Sequence, residues 1–201
     1  MTEMKEKRPT VLVYCASSSQ IDASYFEAAE RLGMLFSENE IVCVNGAGKE
    51  GLMGALNDTM IRNGGIVKGV IPQFMVDAGW CHDHLNETII TPTIHERKQC
   101  MAQMSDAVIA LPGGVGTLEE LVEIITWKQL GLYTNPVVIL NINDFYRPLL
   151  DLFDKMRVTG FLKETHHPLW EVASSPKEAI ALLTYFFERK ASEDNFQEKE
   201  L

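Results

Sequence analysis

No run in this chain approaches the ~18 consecutive apolar residues of a membrane-spanning helix, and its charged start, MTEMKEKRPT, is followed by no apolar signal core. These absences point to the cytoplasm and away from the membrane. Cysteine is sparse: Cys15, Cys43, Cys81 and Cys100 stand apart with no CxxC pair, mostly inside apolar runs, as buried thiols of a reducing compartment do. No disulfide is expected. Basic residues are outnumbered, 18 Lys plus Arg against 28 Asp plus Glu, and the net charge of −10 argues against a nucleic-acid binder or a coat for anionic membranes. Anions can then be held only at a local site. Internal repeats and linker-like runs are missing too, so nothing divides the chain.

What is present suits one globular domain: 201 residues, 46% hydrophobic, enough to bury a single core. Short β-branched runs at 10–15, 41–44, 66–71, 87–91, 107–111, 136–142 and 169–173 read as strands. Helical patterns fill most gaps, at 24–39, 51–65, 93–106, 117–131, 144–160 and 175–189, several closed by glycine. Near-continuous apolar strands alternating with helices imply a doubly wound, mostly parallel, Rossmann-like α/β sheet with helices on both faces. The domain is expected over 10–190, with solvated tails at 1–9 and 191–201. In such sheets ligands bind beyond the carboxyl ends of the strands, so the informative loops are those that follow strands.

Three of these loops stand out. After the first strand, ASSSQ places Ser17 and Ser18 where their hydroxyls either hold a ligand or cap the next helix. After the second, NGAGKEG spaces Gly46, Gly48 and Gly51 as GxGxxG. The acid that should bind an adenosine ribose about 20 residues later is missing from IVKGVIPQ, which argues against NAD. Glu50 after Lys49, where a P-loop needs Ser or Thr, argues against that motif as well. Tight helix packing and direct ligand contact both remain readings of this turn.

The third loop, LPGGVGTLEE at 111–120, carries Gly113, Gly114, Val115, Gly116 and Thr117 between a strand and a helix. Glycines let backbone approach a ligand, and helix-start amides with the helix dipole attract an anion, phosphate above all. Thr117 and Glu120 also have the spacing of a capping box, which needs no function. Three glycines exceed what a capping box needs. One helix earlier, Ile94, Arg97, Met101 and Met104 share a face, so Arg97 interrupts an apolar stripe while Lys98 looks elsewhere. Snorkelling or a structural ion pair would explain a lone arginine there. This helix leads straight into the glycine-loop strand, which can bring Arg97 beside Glu120. The cluster Cys81, His82, Asp83, His84 holds ligand-type residues, but neighbours in sequence cannot easily turn to one ion, and no metal site is expected.

ERK at 96–98, SDAVIALPGGVGTLEELVEIITWKQLG at 105–131 and GLMGA at 51–55 resemble the LONELY GUY (LOG) family of cytokinin-activating phosphoribohydrolases, whose signature is PGGxGTxxE. The likeness runs with interruptions from about residue 10 to residue 150. It implies hydrolysis of a cytokinin riboside 5′-monophosphate, or of AMP, to free base and ribose 5-phosphate without a metal or other cofactor. It also implies a homodimer. By this resemblance Arg97 and Glu120 are catalytic, while Ser17, Ser18, Gly46, Lys98, Gly113, Gly114, Val115, Gly116, Thr117 and Thr126 bind nucleotide. Ala16 and Ala47 stand where the family commonly has glycine, and a substrate-binding acid of many relatives has no clear counterpart in QFMVDAGWCHDH. The chemistry fits the residues: glycosidic cleavage builds cationic sugar that a carboxylate stabilises, and a guanidinium orients anionic parts of the substrate. A non-catalytic carrier of a nucleotide or phosphorylated cofactor on the same fold is the rival reading. It would need the glycines but not the Arg97–Glu120 pair.

Overall fold

A computed structural model describes residues 8–163 and 168–197. Strands β1 (Thr10–Tyr14), β2 (Val42–Asn45), β3 (Val67–Pro72), β4 (Glu87–Thr91), β5 (Ala107–Ala110), β6 (Val137–Leu140) and β7 (Glu171–Ala173) form one sheet in the order β4-β3-β2-β1-β5-β6-β7. Every neighbouring pair is parallel. The crossovers are α1 (Ala23–Glu38), α2 (Gly51–Arg62), α3 (Gln73–Asp77), α4 (Ile94–Gln103), α5 (Val115–Gln129) and α6 (Arg147–Val158), and α7 (Pro176–Gln197) follows β7. The chain winds outward from β1 to β4, then returns to place β5 on the other side of β1. That reversal is the topological switch point, and the loops leaving β1 and β5 flank it.

Alternation along β1 divides the core. Val11 and Val13 join Leu32, Phe36, Leu52, Leu56 and Leu183 on the side of α1, α2 and α7. Leu12 and Tyr14 join Met101, Leu121, Ile124 and Phe153 on the side of α4, α5 and α6. Period-two alternation in a strand covered on both faces requires this split. Among the described residues no helix is long and apolar enough to cross a membrane.

Several boundaries depart from the sequence reading. α5 starts at Val115, not Thr117, and its N-cap is Gly114 with no side-chain cap bond. The capping box expected of Thr117 and Glu120 therefore does not exist: Thr117 lies inside the first turn. Side-chain caps are found on other helices, as at α4, where Thr93 Oγ1 accepts from Glu96 N. α6 starts at Arg147 rather than 144, because Asn143 and Asp144 take φ of 52° and 55° and break the helical path. α3 is too short for its periodicity to show in the sequence. α7 continues to Gln197, so the first part of the segment expected as a tail is helical.

Candidate active site

Three strand-to-helix loops meet at the switch point, and they differ in what their backbone amides do. The β1 loop folds over α2: Ala16 O accepts from Leu52 N and Met53 N, and the Ser19 hydroxyl accepts from Gly51 N while donating to Glu50. α2 therefore has its first amides filled by protein. A Cβ on Gly51, whose φ is +62°, would lie 2.5 Å from the Ser17 carbonyl carbon, so that glycine serves packing. Ser17 and Ser18 are exposed at the carboxyl edge. They do not cap α1, because Asp22 does, accepting from Ser24 N.

The β5 loop is the opposite case. Leu111 N donates to Tyr14 O and Ala16 N donates to Pro112 O; beyond Pro112, among the described residues, no acceptor takes the amides of Gly113, Gly114, Val115, Gly116 or Thr117. A Cβ on Gly113 would strike the Thr117 hydroxyl at 2.2 Å, whereas Cβ atoms on Gly114 and Gly116 would meet nothing within 4 Å. Gly114 sits at φ −81°, a value open to any residue. Neither crowding nor conformation within the chain calls for glycine at 114 or 116, whereas close approach of a ligand would. Five unfilled amides at the start of a fifteen-residue helix have the donors and the dipole to hold an anion.

Arg97 reaches this site from α4. Its side chain is buried and its Nε donates to Val70 O at 3.0 Å, and neither terminal nitrogen hydrogen-bonds another described residue. A Cβ on Gly46 would lie 1.6 Å from one of them, so Gly46 is small because the guanidinium lies across it. Arg97 Nη1 stands 3.9 Å from Glu120 Oε1, beyond hydrogen-bonding distance. Burial pushes the Glu120 carboxyl up to about 7, with the Arg97 charge pulling against it and Glu119 adding to it. Burial without a hydrogen-bond partner, beside a guanidinium, is the environment in which a carboxyl can serve as a base near neutral pH. Its placement is helical: Glu120 lies on the inner side of α5, next to buried Leu121, while Val122 faces outward.

Lys98 does not look elsewhere. It is as buried as Arg97, and its ammonium bonds both Glu119 and Glu123, one on each side of Glu120 along α5. Those bonds neutralise two of the three carboxylates beside the site. Thr126 is exposed and donates to Val122 O; it stands about 9 Å further along the helix than Glu120, and this single chain does not bring it to the glycine loop. Sequence reading missed the supports. Buried Asn45 and Asn57 bond each other, Asn45 accepts from Ala47 N and Asn57 donates to Gly48 O, which fixes the loop under Arg97. A polar residue ending the apolar run IVCV was the available signal. In Cys81–His84, His82 is buried and donates from Nε2 to Asp58, while its Nδ1 accepts from His84 N.

A family model described as a possible lysine decarboxylase matches residues 53–183. The chain is 38% identical over 199 residues to a cytokinin riboside 5′-monophosphate phosphoribohydrolase of Arabidopsis thaliana, LOG2, covering 99% of this chain and 92% of that protein. It is 40% identical over 186 residues to the enzyme of the same name from Rhodococcoides fascians, covering 90% and 94%. The chain belongs to the LOG family. Ala47, a non-glycine residue in the turn before α2, takes φ +60°, a left-handed backbone that glycine adopts more readily. The LOG fold itself is shared more widely: the molybdenum cofactor carrier protein of Chlamydomonas reinhardtii superposes with a TM-score of 0.70 at 20% identity, covering 90% of this chain and 99% of that one.

Proposed function

We propose that this LOG protein hydrolyses the N-glycosidic bond of a purine ribonucleoside 5′-monophosphate, a cytokinin riboside 5′-monophosphate or AMP, releasing free base and ribose 5-phosphate. The observation that carries this reading is the Arg97–Glu120 pair set against five unfilled amides. The amides of 113–117 and the Thr117 hydroxyl grip the 5′-phosphate, which turns remote binding energy into alignment of the C1′–N bond. As that bond breaks, its electron pair leaves with the base and positive charge builds on the ribose. Glu120, as carboxylate, stabilises that charge and accepts a proton from the water that adds to C1′; return of that proton to the departed base restores the carboxylate and yields free base. Arg97, fixed by Val70 O, stays protonated and orients an anionic part of the substrate. Ser17 and Ser18 complete the rim, and Gly46 seats the Arg97 guanidinium.

Side chains supply every charge this reaction needs, so no metal or cofactor enters the proposal, and EDTA should leave turnover unchanged. A divalent-ion requirement would refute that part. The carrier reading draws on the shared fold of the Chlamydomonas protein, but a likeness at 20% identity speaks for fold alone. A carrier has no use for an unbonded carboxylate beside phosphate. We further propose a cytoplasmic homodimer, with residues 10–190 as the catalytic domain. The outer face of α5 exposes Val115, Leu118 and Val122, and Leu130 and Leu132 continue it, an apolar strip that suits a second copy. Thr126 lies along this strip, so a dimer would give it a ligand neighbour that one chain does not. Ribose 5-phosphate release from a panel of nucleoside monophosphates tests the activity. Cleavage of 5′-monophosphates far faster than of nucleosides is expected, and equal rates on AMP and adenosine would sink the phosphate-gripping role.

A further inference from the structure

The glycine loop is free from Gly113 onward, so the point where the chain leaves β5 decides where its amides aim. Three bonds fix that point. Leu111 N is tied to Tyr14 O, Pro112 O is tied to Ala16 N, and the Tyr146 hydroxyl donates to Leu111 O at 2.7 Å. The first two are backbone bonds with the end of β1 and the loop that follows it. The third is a side chain from the loop after β6, and that loop is itself held with care. Asn141 Oδ1 accepts from Tyr146 N and Asn141 Nδ2 donates to Asp144. Asn143 Nδ2 donates to Ser24 in the first turn of α1. The Tyr146 ring is 3% exposed and packs edge-on against Phe145, which packs in turn on Tyr25. Two successive non-glycine residues, Asn143 and Asp144, accept left-handed backbone to make this turn, a strain more often found where geometry serves a site.

We infer that Tyr146 is a positioning residue for the phosphate grip: its buried hydroxyl holds the Leu111 carbonyl and so sets the height and direction at which the amides of 113–117 leave the sheet. The inference rests on the reading of that loop as the phosphate site. Tyr146→Phe keeps the ring and removes only the donor, leaving Leu111 O without its partner. Ribose 5-phosphate, titrated calorimetrically, should bind this variant about tenfold more weakly than wild type, the scale of one buried hydrogen bond. Phe153→Leu is the control, since Phe153 packs in the same apolar layer but touches no part of the loop's bonding; it should soften the fold and keep affinity within about twofold of wild type. Unchanged affinity in Tyr146→Phe overturns the inference, and so does an equal loss in both variants, which would mean general loosening. Failure of the wild-type protein to bind ribose 5-phosphate would strike the phosphate reading itself, a result separable from tight wild-type binding with no effect of the variant.

Discussion

Two glycine-bearing loops, NGAG before α2 and PGGVG before α5, look alike as text and behave oppositely as structure. At α2 the protein fills its own helix start, through Ala16 O, and its glycines are pressed by Arg97 and by the β1 loop. At α5 the amides are unfilled and two glycines face open space. Glycine content therefore does not identify an anion site. The two loops differ in what a Cβ would touch and in what their amides bond: protein in the first case, open space in the second.

The largest expected effect lies at the carboxylate beside the open loop. Glu120→Gln should lower kcat by roughly 10²-fold or more, with ligand affinity retained, and Arg97→Lys should also lose heavily because the planar fork is gone. Stability should move the other way. Glu120 titrates in the folded chain at about 7, above its ordinary value, so its contribution to stability is fully present below the ordinary carboxylate range and is lost as pH rises through 7. With no capping role to lose, the amide variant should melt higher at pH 7.5, by on the order of 1–3 kcal/mol of stability. A Glu120→Gln protein that turns over within about threefold of wild type would remove the catalytic assignment, against the ~10²-fold loss expected. The same titration predicts that kcat/KM falls about tenfold per pH unit below about 7; a flat profile from pH 5 to 8 would deny that the carboxylate form is the active one.

Exchanging glycines between the two loops sharpens the contrast. Gly46→Ala places a methyl on the Arg97 guanidinium, and turnover should drop by on the order of 10²-fold as that group is displaced. Gly51→Ala puts a Cβ at positive φ against backbone, so the fold itself should lose roughly 2 kcal/mol or more. Gly114→Ala meets nothing in the protein; melting should change by less than about 1 kcal/mol, while affinity for 5′-phosphates falls about tenfold. Loss of folding in Gly114→Ala with phosphate affinity intact would reverse the distinction between the loops.

Element types and topology class were legible because buried parallel strands and amphipathic crossovers leave period and composition in the text. The sheet order was not, and neither was the start of α5, since Gly-Val-Gly reads as a loop although Val115 and Gly116 form the first turn of the helix. Arg97 and Glu120 were legible by pattern and resemblance, and the structure brings them together. Lys98 was read as turned away because helix periodicity locates a stripe, not the acidic partner on another helix that can draw a neighbour inward. Tyr146 left no mark, because its function depends on a carbonyl 35 residues earlier in the chain.

The smallest expected effect tests what the sealed loop gains from a methyl on left-handed backbone. Ala47 is fully buried at φ +60°, where a side chain costs on the order of 1 kcal/mol. Its Cβ also fills space against Gly69, at which an added Cβ would come within 2.5 Å. Replacing Ala47 with Gly relieves the backbone but opens a methyl-sized gap and frees the unfolded chain, so the two effects oppose. A net change within about 1 kcal/mol is expected, with kcat and KM unaltered, because Asn45 and Asn57 hold the loop through its backbone and not through this methyl. A clear gain in activity with Ala47→Gly would mean that ligand does approach this loop closely, and the line drawn between the filled and the open helix start would have to move.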